Sequence, residues 1–300
     1  MTEPLEALRG YVHFLREREG VRQVRLTRAA REGLAKLTAK APQAAAVPSG
    51  DRSVGQTISP LGQRRLPTET IARSATVTPA PLNTNEPPLE ITGSSKAEKL
   101  RHLAERASVC VKCPHLVARR RTVVFGVGNP EAKLMFVGEA PGEEEDLQGE
   151  PFVGRAGQLL TKMIIAMGLT REQVYIANIV KCRPDMPPGA PGNRKPTKQE
   201  METCVPYLRA QIEVIQPGVM VALGATAAEG LLGPIGTIGS LRGKFLEYRG
   251  TPLMPTYHPS YLLRNQSNTE KRKVWEDLLK VMERLEMPIT DKQRGYFLAK

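Results

Sequence analysis

Apolar positions along the chain fall into two rhythms. Near the start, Leu5, Leu8, Tyr11, Val12 and Leu15 recur at spacings of three and four, which predicts one apolar face of a short amphipathic helix. After a long polar interval the same helical rhythm returns at 97–109 (AEKLRHLAERASV), 156–167 and 197–215. In the last of these, Thr197 is the expected N-cap, with Glu200 three residues on as in a capping box. Between the helices stand short, densely apolar runs at 122–127, 134–137, 174–180 (VYIANIV) and 219–223, the pattern of strands buried on both faces. A short helix at 225–232, strands at 244–249 and 253–257, and an amphipathic helix at 269–286 around Val274, Leu278, Val281, Met282 and Leu285 complete the series. Strands that alternate with helices predict a three-layer α/β/α sandwich with a mainly parallel central sheet.

Composition divides the chain of 300 residues into three parts. Residues 16–40 are rich in Arg and Lys, so 1–40 is read as a basic helical extension that suits a DNA or protein partner. From 41 to 95 the chain turns to Pro, Ala, Thr, Ser and Gly, and no Phe, Tyr or Trp occurs between Phe14 and Phe125. Such a segment buries too little apolar surface to offset its ordering entropy and is expected to be a disordered linker, leaving 96–290 as the folded domain. A formal net charge of +12 points to a polyanionic partner, most often nucleic acid. No run reaches the roughly 18 apolar residues of a membrane span, and the first residues lack a secretory signal pattern, so the expected setting is cytoplasmic and away from membranes.

Four cysteines are present, at 110, 113, 182 and 204. Cys110 and Cys113 form a C-x-x-C pair, whereas Cys182 and Cys204 are distant singles that only the fold can bring to the same point. In a reducing compartment disulfides are not expected. Four thiolates suit zinc or an iron-sulfur cluster, and spacing alone leaves the metal open.

The stretch 134–157, LMFVGEAPGEEEDLQGEPFVGRAG, passes from an apolar strand into glycines and carboxylates. At the carboxyl end of a parallel strand this is a ligand-binding position, and the glycines allow backbone N–H groups a close approach. Taken with GEAPGEEED and PFVGRAGQLL, the segments NIVKCRP and HPSYLLR and the C-x-x-C start resemble the family 4 uracil-DNA glycosylases, the iron-sulfur type. The resemblance covers roughly 96–286 and not the first ninety or so residues.

It implies a [4Fe-4S] cluster held by Cys110, Cys113, Cys182 and Cys204, and hydrolysis of the N-glycosidic bond of uracil in single- or double-stranded DNA by a monomeric enzyme. His258 would donate to uracil O2, Asn178 would read the base edge, and Phe152 would stack on the flipped ring. Glu139 would orient or activate the water and Glu145 would shape the pocket against thymine, with Gly138 and Ala140 lining the substrate site. Ala140 stands where the best-known glycosylase group has an Asp. Leu262, Leu263 and Arg264 would form the wedge that enters DNA, and Lys181, Arg183, Arg194 and Lys195 are candidate phosphate contacts.

Two other readings compete. A covalently trapping or non-catalytic uracil-DNA binder would carry a basic, His-containing insertion, but 181–196 reads KCRPDMPPGAPGNRKP without His. A metal-dependent nuclease would use Glu143, Glu144, Glu145 and Asp146, yet consecutive carboxylates do not all face one ion.

Overall fold

The computed structural model describes residues 88–187, 192–234 and 236–298. The expected helix at 5–15, the basic stretch and the linker as far as residue 87 lie outside the described residues. Packing is already present ahead of Lys96, where Leu89 and Ile91 rest against the core and Arg106 Nη1 donates to the Glu90 carbonyl at 2.7 Å.

The elements are α1 (Lys96–Ser108), α2 (Pro114–Val117), β1 (Val127–Gly128), β2 (Leu134–Gly138), α3 (Glu143–Gln148), α4 (Arg155–Ala166), β3 (Tyr175–Asn178) and α5 (Lys198–Ile215). Then follow β4 (Val219–Leu223), α6 (Ala225–Leu232), α7 (Ile238–Leu241), β5 (Leu246–Tyr248), β6 (Thr251–Thr256), α8 (Pro259–Arg264), α9 (Asn268–Arg284) and α10 (Asp291–Arg294). Six strands form one sheet in the order β1-β3-β2-β4-β6-β5. The inner four are parallel, and β1 and β5 pair antiparallel at the edges.

The pleat sends alternate side chains to opposite layers. On β2, Met135 and Val137 enter a core with Leu100, Leu103, Leu208 and Leu231, while Leu134 and Phe136 enter another with Leu160, Ile164, Trp275 and Leu278. Helices α1, α5 and α6 therefore cover one face and α4 and α9 the other, giving the expected sandwich. From β2 the chain steps to β3 on one side and then crosses to β4 on the other. The loop after β2 thus lies at a reversal of strand order, where open α/β sheets hold their ligands.

Two local expectations are corrected. The apolar run 122–127 contributes only Val127 to a strand: at its start the Thr122 N–H, like that of Arg121, donates to the buried Asp146 carboxylate, and the Val124 N–H donates to the Lys181 carbonyl at 2.8 Å, beyond the end of β3. The acidic loop also contains a helix, α3, whose first turn carries Glu143, Glu144, Glu145 and Asp146. Carboxylates at that end face the positive pole of the helix, and Gly149, at φ 78°, ends it.

Candidate active site and cysteine centre

The carboxyl ends of β2, β3, β4 and β6 open into a cavity of about 550 Å³, whose lining includes Glu139, Phe152, Asn178, Lys195, His258 and Arg264. Gly138 lets these groups meet. A Cβ there would lie 2.3 Å from Asn178 Oδ1 and 2.5 Å from Phe152 Cζ, closer than atoms can approach. Phe152 is held in the left-handed region at φ 56°, a strained choice for an aromatic residue. Several contacts hold it there. Arg171 donates to the carbonyls of Phe152 and Pro151 at 3.2 and 2.9 Å, and Gly157 comes so close that its Cβ would sit 1.8 Å from the Phe152 carbonyl oxygen. The carboxylate of Glu145 accepts from the N–H groups of Gly142, Val153 and Gly154 at 2.9–3.0 Å. Glu145 therefore clamps the loop that presents Phe152, and Ala140 lines the cavity beside it.

Asn178 ends β3 and is only 2% exposed. Its Oδ1 has no hydrogen-bond partner among the described residues. A buried carboxamide oxygen without a donor costs about 1–3 kcal/mol, so this end of the sheet is prepared for a ligand N–H.

His258 follows β6 and caps α8. Ser260 N donates to its Nδ1 at 3.1 Å, and a backbone amide can only donate, so Nδ1 is unprotonated and the Ser260 hydroxyl, 2.7 Å away, donates to it as well. Burial lowers the imidazole to about 4, helped by the charge of Arg264 and opposed by Glu145. The ring is thus neutral with its proton on Nε2, and it lies 5.7 Å from Phe152, centroid to centroid. Glu139 is pushed above the usual carboxylate value by burial, against a hydrogen bond from the Thr226 hydroxyl and the charge of Lys195. That combination suits a general base.

Other sequence-based assignments change. Leu262 is buried in the core with Trp275 and Leu278, so it is not free to enter DNA; Leu263 is half-buried and Arg264 exposed. Lys181 is buried rather than available to phosphates, and its Nζ donates to the Asn178 carbonyl at 2.9 Å and to Gln211 Oε1 at 2.5 Å. Arg194 pairs with Asp185 and Glu200. Burial alone would raise Glu200, but hydrogen bonds from Arg194, His115 and the Thr197 amide hold it down to about 2. His115, Asp185 and Glu200 bring three donor atoms within 4.8 Å of one another, yet the cation that satisfies the two carboxylates is Arg194. The acidic run is no nuclease centre either, since Glu145 and Asp146 bond backbone amides and Glu143 lies 3.7 Å from Arg183.

The fold gathers the four cysteines from the α1–α2 loop, the segment after β3, and α5. Cys113 is raised to about 11 by burial and by the neighbouring Cys182 and Cys110, and Cys204 to about 12 by burial, opposed by Lys181. Arg120 Nη1 donates to Cys182 Sγ at 3.1 Å and Lys181 N to Cys204 Sγ at 3.2 Å.

The family model of the uracil DNA glycosylase superfamily matches residues 125–279. The type-4 uracil-DNA glycosylase of Thermotoga maritima is 48% identical over 188 residues, 62% of this chain and 94% of that protein. That of Archaeoglobus fulgidus is 41% identical over 192 residues, 60% of this chain and 93% of that protein. The type-5 uracil-DNA glycosylase of Pyrobaculum aerophilum is 31% identical over 185 residues, 51% and 79% of the two chains. With the match extending through every strand that lines the cavity, the chain belongs to the uracil-DNA glycosylase superfamily and to its type-4 branch.

Proposed function

We propose that the chain removes uracil from DNA by hydrolysing the N-glycosidic bond, and the observation that carries this reading is the orphaned Asn178 Oδ1 in the wall of the cavity. A uracil imide N–H donates to that oxygen, while the Asn178 amide N–H₂ donates to a carbonyl of the same base edge. Phe152 supplies a ring face for the base, a contact worth about 1–3 kcal/mol in single-strand binders. To reach the cavity the nucleotide leaves the stack. Arg264, which lines the cavity, and its neighbour Leu263 fill the gap in this reading, with Lys195 and Arg264 attracting phosphate.

As the bond breaks, negative charge grows on uracil O2 and positive charge on the sugar. His258 Nε2–H, neutral and fixed by Ser260, meets the first without having to shed a proton. Glu139 meets the second and takes the proton of the attacking water, as its raised carboxyl allows. Glu145 acts on specificity through the loop it clamps, setting how closely Phe152 approaches the base.

The four cysteines fit a [4Fe-4S] cluster: the fold brings them into one region, and the sulfurs of Cys182 and Cys204 each receive an N–H donor. Such a cluster cross-links three distant segments and so stabilises the folded chain over the open one. No helix among the described residues is long and apolar enough to cross a membrane, and the partner in this reading is uracil-containing DNA. The test is incubation of the iron-loaded protein with matched oligonucleotides carrying uracil or thymine. Abasic product from the uracil strand alone is expected, and none from either strand would overturn the proposal.

A further inference from the structure

We infer that Arg171 is a positioning residue for excision: from outside the cavity wall it fixes the backbone turn that presents the Phe152 ring to the base. The inference rests on the excision reading above. Phe152 sits at φ 56°, where an aromatic residue is strained, so its ring keeps its place only while neighbours hold the backbone. Two rigid peptide planes flank its Cα, and their orientations set φ and ψ. The guanidinium grips both. Nη2 donates to the Pro151 carbonyl of the first plane at 2.9 Å, and Nη1 to the Phe152 carbonyl of the second at 3.2 Å. The opposite edge of the second plane carries the Val153 N–H, which donates to the Glu145 carboxylate at 3.0 Å. That plane is held at its two edges by opposite charges, and charge-assisted hydrogen bonds are stronger than neutral ones.

A third bond ties the turn to α4. Arg171 Nη1 also donates to Thr161 Oγ1 at 3.2 Å, and the Thr161 hydroxyl donates to the Gly157 carbonyl at 3.1 Å. Gly157 is the residue against which the Phe152 backbone rests. All three acceptors of Arg171 are neutral oxygens, and Glu150 and Glu172 act on it only through their charge. A half-buried guanidinium usually sets its fork against a carboxylate; here the fork is spent on main chain. An ammonium is a point donor, whereas the planar fork reaches two successive carbonyls at once and keeps its charge at any working pH. Arg171 also opens the turn Arg171–Gln173, which leads into β3 and so to Asn178. One side chain thereby links the ring platform to the strand that reads the base edge.

The test is a double-mutant cycle on single-turnover excision of uracil from an oligonucleotide, with the iron-loaded parent, Arg171→Met, Phe152→Ala and the double variant. Affinity for abasic product DNA is measured beside the rates. Arg171→Met is expected to slow excision about tenfold, as the ring loses part of its contact with the base, and to bind abasic DNA within about twofold of the parent. Arg171→Lys should fall between, about threefold slower than the parent. In Phe152→Ala no ring remains to be placed, so adding Arg171→Met should slow excision further by no more than about twofold. A tenfold loss that persists undiminished in the Phe152→Ala background overturns the inference, as does an Arg171→Met protein that keeps the parent's rate. If Arg171→Met does not fold, Arg171→Lys carries the cycle, and its effect must vanish with the ring. A parent protein that leaves the uracil strand intact overturns the excision reading, and this inference with it.

Discussion

Acidification is expected to leave His258 neutral until about pH 4, and the stability of the protein should record this. An exposed imidazole takes up its proton near 6.5, whereas the buried ring of His258 resists it down to about 4. Between those values the unfolded chain holds a proton that the native protein refuses, so stability falls as the pH drops through this window and is unaffected at neutral pH and above. The interval from 6.5 to about 4 corresponds to a loss of about 3 kcal/mol, complete near pH 4. Urea unfolding of the parent and of His258→Gln across this range isolates the contribution, because the variant lacks the titrating ring. The gap between the two stability curves should change by about 3 kcal/mol from neutral pH to pH 4. Nitrogen NMR of labelled histidine gives the second readout: Nε2 protonated and Nδ1 not, throughout the window. A ring that titrates near 6.5, or carries its proton on Nδ1, would refute the assignment of His258 as a neutral donor.

Glu139→Gln should slow single-turnover excision about 10²–10⁴-fold and at the same time raise the unfolding midpoint at neutral pH, since a carboxylate held charged against burial is removed. For the same reason the acid limb of the parent's excision rate should lie above the ordinary carboxylate value, and a limb at or below it would contradict the base role. Asp277, raised to about 6 by burial against Thr256 and Arg242, anchors Arg242 at 2.8 Å beside the strand that leads to His258. Asp277→Ala leaves the Arg242 charge uncompensated and should cost about 3–5 kcal/mol in urea unfolding, and a loss below 1 kcal/mol would show that the pair is not structural. Chelation of iron should lower the unfolding temperature and release the α1–α2 loop to proteases ahead of the sheet, whereas simultaneous cleavage everywhere would argue against a local cross-link.

Much of the sheet could be read in advance because its central strands, β2 and β4, are buried on both faces and leave uninterrupted apolar runs. The positions of Asn178 and His258 were legible for a related reason, since each is a polar residue at or just past the end of such a run. What escaped was decided by partners distant in sequence. The run 122–127 looks like a strand, but Asp146 takes the Thr122 N–H at its start and the Val124 N–H goes to Lys181, past the end of β3. The acidic stretch hides α3, since its helical signal is the charge pattern of a first turn and not an apolar stripe. Lys181 and Leu262 exchange their expected places, the charged one enclosed by Asn178, Gln211 and Phe125 and the apolar one drawn into the core by α9. Thr226 and Arg171 gave no signal of their own, since one matters through Glu139 and the other through carbonyls near Phe152.

The central claim is that a single buried carboxamide selects uracil for excision. Single-turnover release of base from a uracil-containing oligonucleotide, measured for the iron-loaded parent and for Asn178→Ala, tests it directly. The account predicts abasic product from the parent, a rate at least about 10²-fold lower in the variant, and equal affinity of the two for abasic product DNA. No abasic product from the parent, or a variant that retains the full rate, would contradict it.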